Sequence, residues 1–354
     1  MAPEDLTSVG GAPRYRAGLH SIGQNISAWL TPNGGWGESN AALISGHKSS
    51  LLVDTLWDLP RTEAMLEAFQ PQIEAAPIEQ LVNTHADGDH WFGNQLVSAP
   101  KIIATKVAAR HMRRYGPGQM TALRAVAGVF RGLSYVPLPR RSRWRVAADY
   151  LEDMMRPFDF SNIKPAPPTL TFSRKLALDV GGRQVILMEV GPAHTTGDLI
   201  VYLPEDRVVI AGDVLFLGST PVLWDGSSRN WIKACEKILA LHADTIVPGH
   251  GPLTDPSGVE AVRRYWQFLR SAVRVHFDKS RPPAEAALRI ARSDEFLKQP
   301  FATWDGKERI LINVYAIYRK LLGRKRHVNP LTRVNLLRKT AILKAQLEEP
   351  EDDD

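Results

Sequence analysis

Thr84-His85-Ala86-Asp87-Gly88-Asp89-His90-Trp91 is the stretch on which the reading of this chain turns. It sets two imidazoles and two carboxylates within six residues, directly after an apolar run at 79–83 with the length and composition of a short strand. Borderline divalent cations take imidazole nitrogen and carboxylate oxygen, and a strand-to-helix turn aims several such groups at one point without burying an unpaired charge. The competing reading is a polar loop in which Asp87 or Asp89 caps the next helical turn.

Three later segments repeat the theme. Gly191-Pro192-Ala193-His194, Ala211-Gly212-Asp213 and Val247-Pro248-Gly249-His250-Gly251 each close an apolar run with a candidate ligand in a glycine-containing turn. A single histidine after a strand is commonly structural, but three such endings in this order are not easily incidental.

In that order, His-x-Asp-x-Asp-His, Gly-x-x-His-Thr-x-Gly-Asp, Gly-Asp and Pro-Gly-His-Gly resemble the metallo-β-lactamase superfamily, over about residues 18–256. The resemblance implies an α/β (α+β) fold: an αββα sandwich of two mixed sheets packed face to face, helices outside, with metals in loops along one edge. It implies that His85, Asp87 and His194 hold one divalent metal, that Asp89, His90 and His250 hold a second, and that Asp213 bridges both. Asp54 matches a position that orients a ligating imidazole, and Thr195 and Asp198 match similar supporting positions. The implied activity is hydrolysis of an ester, lactone, thioester or amide by a metal-bound hydroxide, with Asp89 and Asp213 as catalytic carboxylates and Asp89 relaying the proton.

Asp87 departs from the commonest family pattern, which has histidine there; flavodiiron oxidoreductases are similar in placing a carboxylate at that point. Three ligand carboxylates plus a hydroxide would neutralise two dications completely, weakening their Lewis acidity and suiting iron or manganese as well as zinc. Zinc is the leading expectation for the two ions. The alternative that Asp87 does not bind, leaving an effectively mononuclear site, stays open, as do an iron-dependent oxidoreductase and a nucleic-acid-processing or non-catalytic member.

Trp36, Trp91 and Trp224 lie near these residues in sequence and are candidates for an apolar pocket, though the nine tryptophans are mainly expected in core packing. With a helical insertion expected over 111–168, rich in arginine and broken by glycine and proline, they point to a small, hydrophobic substrate. Strand signals at 41–46, 50–55, 79–83 and 101–105 precede that insertion, and others at 169–172, 176–180, 184–190, 199–203, 208–211 and 245–247 follow it. Helical patterns at 259–276, 283–292, 306–322 and 332–347 complete the chain. The expected division is therefore a domain over 1–255 and a helical extension over 256–354 that ends in a frayed acidic tail. Tyr265, Trp266, Phe268 and Leu269 form an apolar face that either packs on the sandwich or makes a homodimer.

Composition sets outer bounds. The 354 residues are 44% hydrophobic, enough for a sizeable core, and 44 basic against 38 acidic residues give a formal charge of +6 spread along the chain, a weak argument for nucleic acid. Its densest basic stretches fall at 140–145 and 319–327. Cys235 is the single cysteine, which excludes an internal disulfide and a Cys-rich metal module and fits a reducing cytoplasm. No run approaches the roughly 18 apolar residues of a membrane span, and the first residues lack the pattern of a signal peptide.

Overall fold

The computed structural model describes residues 14–32, 36–135, 141–324 and 328–349. The first thirteen residues, Asn33 to Gly35, 136–140, 325–327 and the acidic tail from 350 lie outside the described residues, and with them parts of both basic stretches.

Among the described residues, twelve strands form two sheets. The first holds β1 (Gly18–Gly23), β2 (Ile26–Leu30), β3 (Ala41–Ser45), β4 (Ser50–Val53), β5 (Ile78–Val82), β6 (Lys101–Thr105) and β7 (Leu170–Phe172) in sequence order. Pairing is antiparallel from β1 to β4 and parallel from β4 to β7. The second sheet runs β12 (Thr245–His250), β11 (Val208–Phe216), β10 (Leu199–Leu203), β9 (Arg183–Glu189) and β8 (Lys175–Val180); only β11 and β12 are parallel.

Strands buried on both faces read as continuous apolar runs, and β4 and β11 are buried throughout. Alternate side chains then serve different layers. Leu51 and Val53 face Val185, Leu187, Val201 and Ile210 of the second sheet, while Leu52 and Leu81 pack with Met65 and Phe69 of the helix α1 (Leu59–Ala75). Across the second sheet, Ile200, Val209 and Ile246 face the helices α5 (Ser228–Leu239) and α6 (Pro256–Asp278). This is the αββα layering.

Between β6 and β7 the chain forms α2 (Lys106–Arg114), α3 (Gly118–Ser134) and α4 (Arg141–Met155), a helical cap that begins five residues before the expected boundary at 111. Leu151 and Met155 of the cap meet Trp91 and Phe92 in a separate cluster. After α6 follow α7 (Pro283–Arg292), α8 (Asp294–Leu297), α9 (Ile310–Leu321) and α10 (Pro330–Glu348). Caps mark their starts: Asp255 accepts from Ser257 N–H before Pro256, and Asn329 from Thr332 N–H before Pro330.

Two expectations need correction. No strand signal was read before residue 41, yet β1 and β2 form a hairpin; β1 alternates half-buried with exposed residues and carries glycine at both ends, so its pattern is weak. Asp213 and His250 were expected in turns after strands, but both lie within extended β11 and β12, whose ladder is irregular around Gly212. Of the two readings of the α6 face, packing on the sandwich describes Tyr265, Trp266 and Leu269, which are buried in the core beneath the second sheet. No helix among the described residues is long and apolar enough to cross a membrane.

Candidate metal centre

Both sheets deliver their chemistry to one edge. β5 ends at Val82, and the next residues carry His85 into a loop that leads to a 3-10 turn at Gly88–His90. Asp54, just past β4 with φ of 63°, reaches across to this loop. Its Oδ1 accepts Thr84 N–H at 2.7 Å, and its Oδ2 accepts the Thr84 hydroxyl at 2.7 Å and His90 Nδ1 at 2.8 Å. A carboxylate only accepts, so Nδ1 of His90 carries the proton and Nε2 presents a lone pair.

The other imidazoles are fixed in the same sense. The Thr84 hydroxyl spends its proton on Asp54 and accepts from His85 Nδ1 at 3.0 Å; His194 Nδ1 donates to the Val222 carbonyl at 2.6 Å; His250 Nδ1 donates to the Glu38 carbonyl at 2.8 Å. All four Nε2 atoms are thereby left for whatever occupies the space between them. Asp198 works on backbone, accepting from Ala193 and Thr195 N–H on either side of His194, and from the Thr195 hydroxyl.

The convergence is close. His194 Nε2 lies 3.0 Å from Asp87 Oδ2 and 3.3 Å from Asp213 Oδ2, and His85 Nε2 is 3.6 Å from the same Asp213 oxygen. On the other side, His90 Nε2 lies 3.0 Å from Asp213 Oδ1 and 3.8 Å from Asp89 Oδ2, and His250 Nε2 is 3.4 Å from both Asp89 Oδ2 and Asp213 Oδ2. Ligands about 2.0–2.2 Å from one tetrahedral ion sit about 3.3–3.6 Å apart, and the separations here, 3.0 to 3.8 Å, bracket that spacing. Three overlapping sets, His85/His90/Asp213, His85/Asp87/His194 and Asp89/His90/His250, each keep their ligand atoms within 4.8 Å.

Buried polar atoms test the fit. His85 Nε2, His90 Nε2 and Asp213 Oδ1 have no hydrogen-bond partner, because even the 3.0 Å approach of His90 to Asp213 lacks hydrogen-bond alignment. Leaving such groups bare is costly, and divalent cations satisfy all three at once. Electrostatics agrees. Burial disfavours charge on His194 and His250, yet Asp213, with Asp87 or Asp89, overrides it and raises both to about 9. His90 is likewise raised against burial by Asp213, Asp89 and Asp54, whereas burial and the neighbouring His90 lower His85. The Asp87, Asp89 and Asp213 carboxyls are held low against burial by these imidazoles. The cluster therefore demands positive charge.

Glycine permits the approach. A Cβ on Gly249 would lie 2.0 Å from Asp213 Oδ1, and Gly212, with φ of 50°, presses on Thr84. Asn40 Nδ2 donates to the Pro248 and Gly251 carbonyls on either side of this turn.

The residues matched by the Metallo-beta-lactamase superfamily model are 34–250, a span that holds all seven converging side chains. The chain belongs to this superfamily. Among its relatives, 2,4-dinitroanisole O-demethylase subunit alpha of Nocardioides sp. (strain JS1661) is 23% identical over 254 residues, 71% of this chain and 60% of that one. Linear primary-alkylsulfatase of Pseudomonas sp. (strain ATCC 19151) is 26% identical over 67% of this chain and 46% of that one. This chain thus spans about half the length of these relatives. A shorter match, 39% over 54 residues and 15% of this chain, links it to hydroxyacylglutathione hydrolase of Brucella ovis, of which it covers 21%. A stereoselective inverting sec-alkylsulfatase from Pseudomonas sp. shares the fold, with a TM-score of 0.65 at 18% identity over 87% of this chain and 50% of that one.

The three tryptophans part company. Trp36 and Trp224 are half-buried side by side, ring centroids 6.1 Å apart, and Trp36 Nε1 donates to the Tyr150 hydroxyl of the cap at 2.9 Å. Trp91 is 1% exposed and donates to the Ala86 carbonyl, so it packs the cap against the loop instead of lining an opening. The carbonyls of Glu38 and Val222, the Thr84 hydroxyl and Tyr150 were not anticipated. Any residue supplies a carbonyl, so no side-chain signal could have found the first two.

Proposed function

We propose that this protein is a metal-dependent hydrolase cleaving an ester-type bond in a small molecule with an apolar or aromatic part. The observation that carries the reading is the common orientation of four imidazoles, each anchored through Nδ1 with Nε2 turned toward carboxylates. His85, Asp87 and His194 would hold one cation, Asp89, His90 and His250 the other, and Asp213 both. Divalent cations bound there supply Lewis acidity, polarising the scissile group and bringing water to the hydroxide level near neutral pH.

The chain's own groups do the rest. Asp213 is almost fully buried, whereas the Asp89 and Asp87 side chains are 14% and 23% exposed and stand on the open side. In this reading Asp89 passes the proton outward. Trp36 and Trp224 offer flat apolar surface to the part of the substrate that does not react. Residues 1–255 carry the chemistry in this reading, and 256–354 brace it. A single, buried cysteine suits a reducing cytoplasm.

The alkylsulfatase and hydroxyacylglutathione hydrolase relatives support hydrolysis and widen the screen to sulfate esters and thioesters. Protein purified without added metal should contain zinc, iron or manganese by elemental analysis. It should hydrolyse at least one of a panel of aryl esters, lactones, thioesters, and aryl or alkyl sulfates, and lose that activity with a chelator. Metal-free protein that neither binds cations nor hydrolyses any of the panel would refute the reading. Asp87 favours a second one, because each half of the centre then offers two imidazoles and a carboxylate of its own, a donor set suited to iron redox chemistry. Iron-loaded protein that consumes oxygen and hydrolyses nothing would select it.

A further inference from the structure

A cavity of ≈ 230 Å³ lies between the cap and the first turn of α10. Arg110, His111 and Arg114 line it from α2, Asp225 from the segment after β11, and Pro330 and Arg333 from α10. Three guanidiniums therefore face one carboxylate. That carboxylate is already committed: Asp225 Oδ1 accepts Val328 N–H at 2.7 Å, and Oδ2 pairs with Arg333 at 2.8 Å.

Arg110 and Arg114 stand one helical turn apart, a like-charge spacing that disfavours the helix. Neither has a carboxylate partner among the described residues; Arg114 lies over the Tyr115 ring at 5.6 Å. The nineteen-residue α10 adds the positive end of its dipole through the same first turn. The cluster is net positive and open to an anion.

One wall of the cavity is tied to the loop that carries His194. His111 Nε2 lies 3.4 Å from the hydroxyl of Thr196, two residues past His194. Arg333 stacks over Trp224 at 5.1 Å. We propose that the substrate carries an oxyanion that Arg110, Arg114 and Arg333 hold in this cavity, while its scissile bond reaches the Asp87 and His194 side of the centre. This rests on the hydrolase reading above. Guanidinium forks suit carboxylate and sulfo groups alike, and the volume admits such a group with a few carbons.

The test is calorimetric titration of 4-hydroxybenzoate, 4-hydroxybenzenesulfonate and neutral 4-hydroxybenzamide into the metal-replete full chain and its Arg110→Gln/Arg114→Gln variant. Both positions are exposed on α2, and melting temperature and elemental analysis verify that fold and metal persist. Wild type should bind one anion at least tenfold more tightly than the amide, and the variant less than threefold; the preferred anion then names the oxyanion. Any other pair of ratios overturns the proposal. If the double variant fails to hold metal, Arg110→Gln alone replaces it, with a ratio at least threefold below wild type expected and an unchanged ratio overturning. Binding is read without turnover, so ratios as expected with no ester cleaved refute the activity alone, and cleavage with flat ratios refutes the anion site alone.

Discussion

Asp54→Asn removes one charge and almost no volume from beneath His90. Asp54 is 2% exposed and accepts three hydrogen bonds, two from Thr84 and one from His90 Nδ1. An asparagine retains one acceptor, which Thr84 N–H claims at the Oδ1 position, and turns an NH₂ toward His90. Nδ1 must then accept, the proton moves to Nε2, and the nitrogen that faces Asp213 and Asp89 no longer offers a lone pair. Loss of such an orienting partner lowers metal affinity about 10–100-fold, or about 1.4–2.8 kcal/mol. The loss should be larger for the cation that shares His90 with Asp89 and His250, because His85 keeps the Thr84 hydroxyl as the partner of its Nδ1. Competition against a chromophoric chelator reads both affinities, and the melting temperature of the metal-free protein reports the fold separately. Two affinities within threefold of wild type, or an equal fall in both, would refute the tautomer argument.

Asp213→Ala should empty both positions and abolish activity, whereas His194→Ala should empty one; metal-to-protein ratios near zero and near one by elemental analysis are the expected results, and full occupancy in either variant counts against the ligand assignment. Asp87→His gives the first half a third imidazole and should shift the metal content of purified protein toward zinc; an unchanged mixture would show that Asp87 does not set the preference. In the metal-free protein, carboxylates outweigh burial and raise His194 and His250 to about 9, so both carry protons at pH 7.5. Cation binding should displace them, with apparent affinity rising with pH through about 9. Calorimetry in buffers of different ionisation enthalpy measures the release, and none at pH 7.5 would contradict these shifts.

The converging side chains were legible because their donors are chemically distinct and their order along the chain is specific. Asp54 was legible for a weaker reason, its place at the end of an apolar run, and the structure gives it three partners. What holds the imidazoles in place was largely invisible: two of the four anchors are main-chain carbonyls, at Glu38 and Val222, which any side chain can flank. Trp91 illustrates a second limit. It is adjacent to His90 in sequence, yet the tight turn at Gly88–His90 sends the two rings to different surroundings, one toward Asp213 and the other under the cap. The central strands were read from continuous apolar runs, the signature of burial on both faces. β1, half exposed at the sheet's edge, lacks that signature, and in β2, though it is buried, Ser27 interrupts the apolar run.

The helices α6, α7, α9 and α10 own no separate interior: their apolar residues merge with Ile200, Val209, Ala211 and Trp231 into one body. Cut away at residue 255, the remainder would expose Trp231 and the outer face of β10 to β12, the strands on which Asp213 and His250 ride. Heritable damage far from any ligand, such as a charge placed at Trp266 or Ile290, can therefore disarm the enzyme by loosening the floor under its two rearmost ligands.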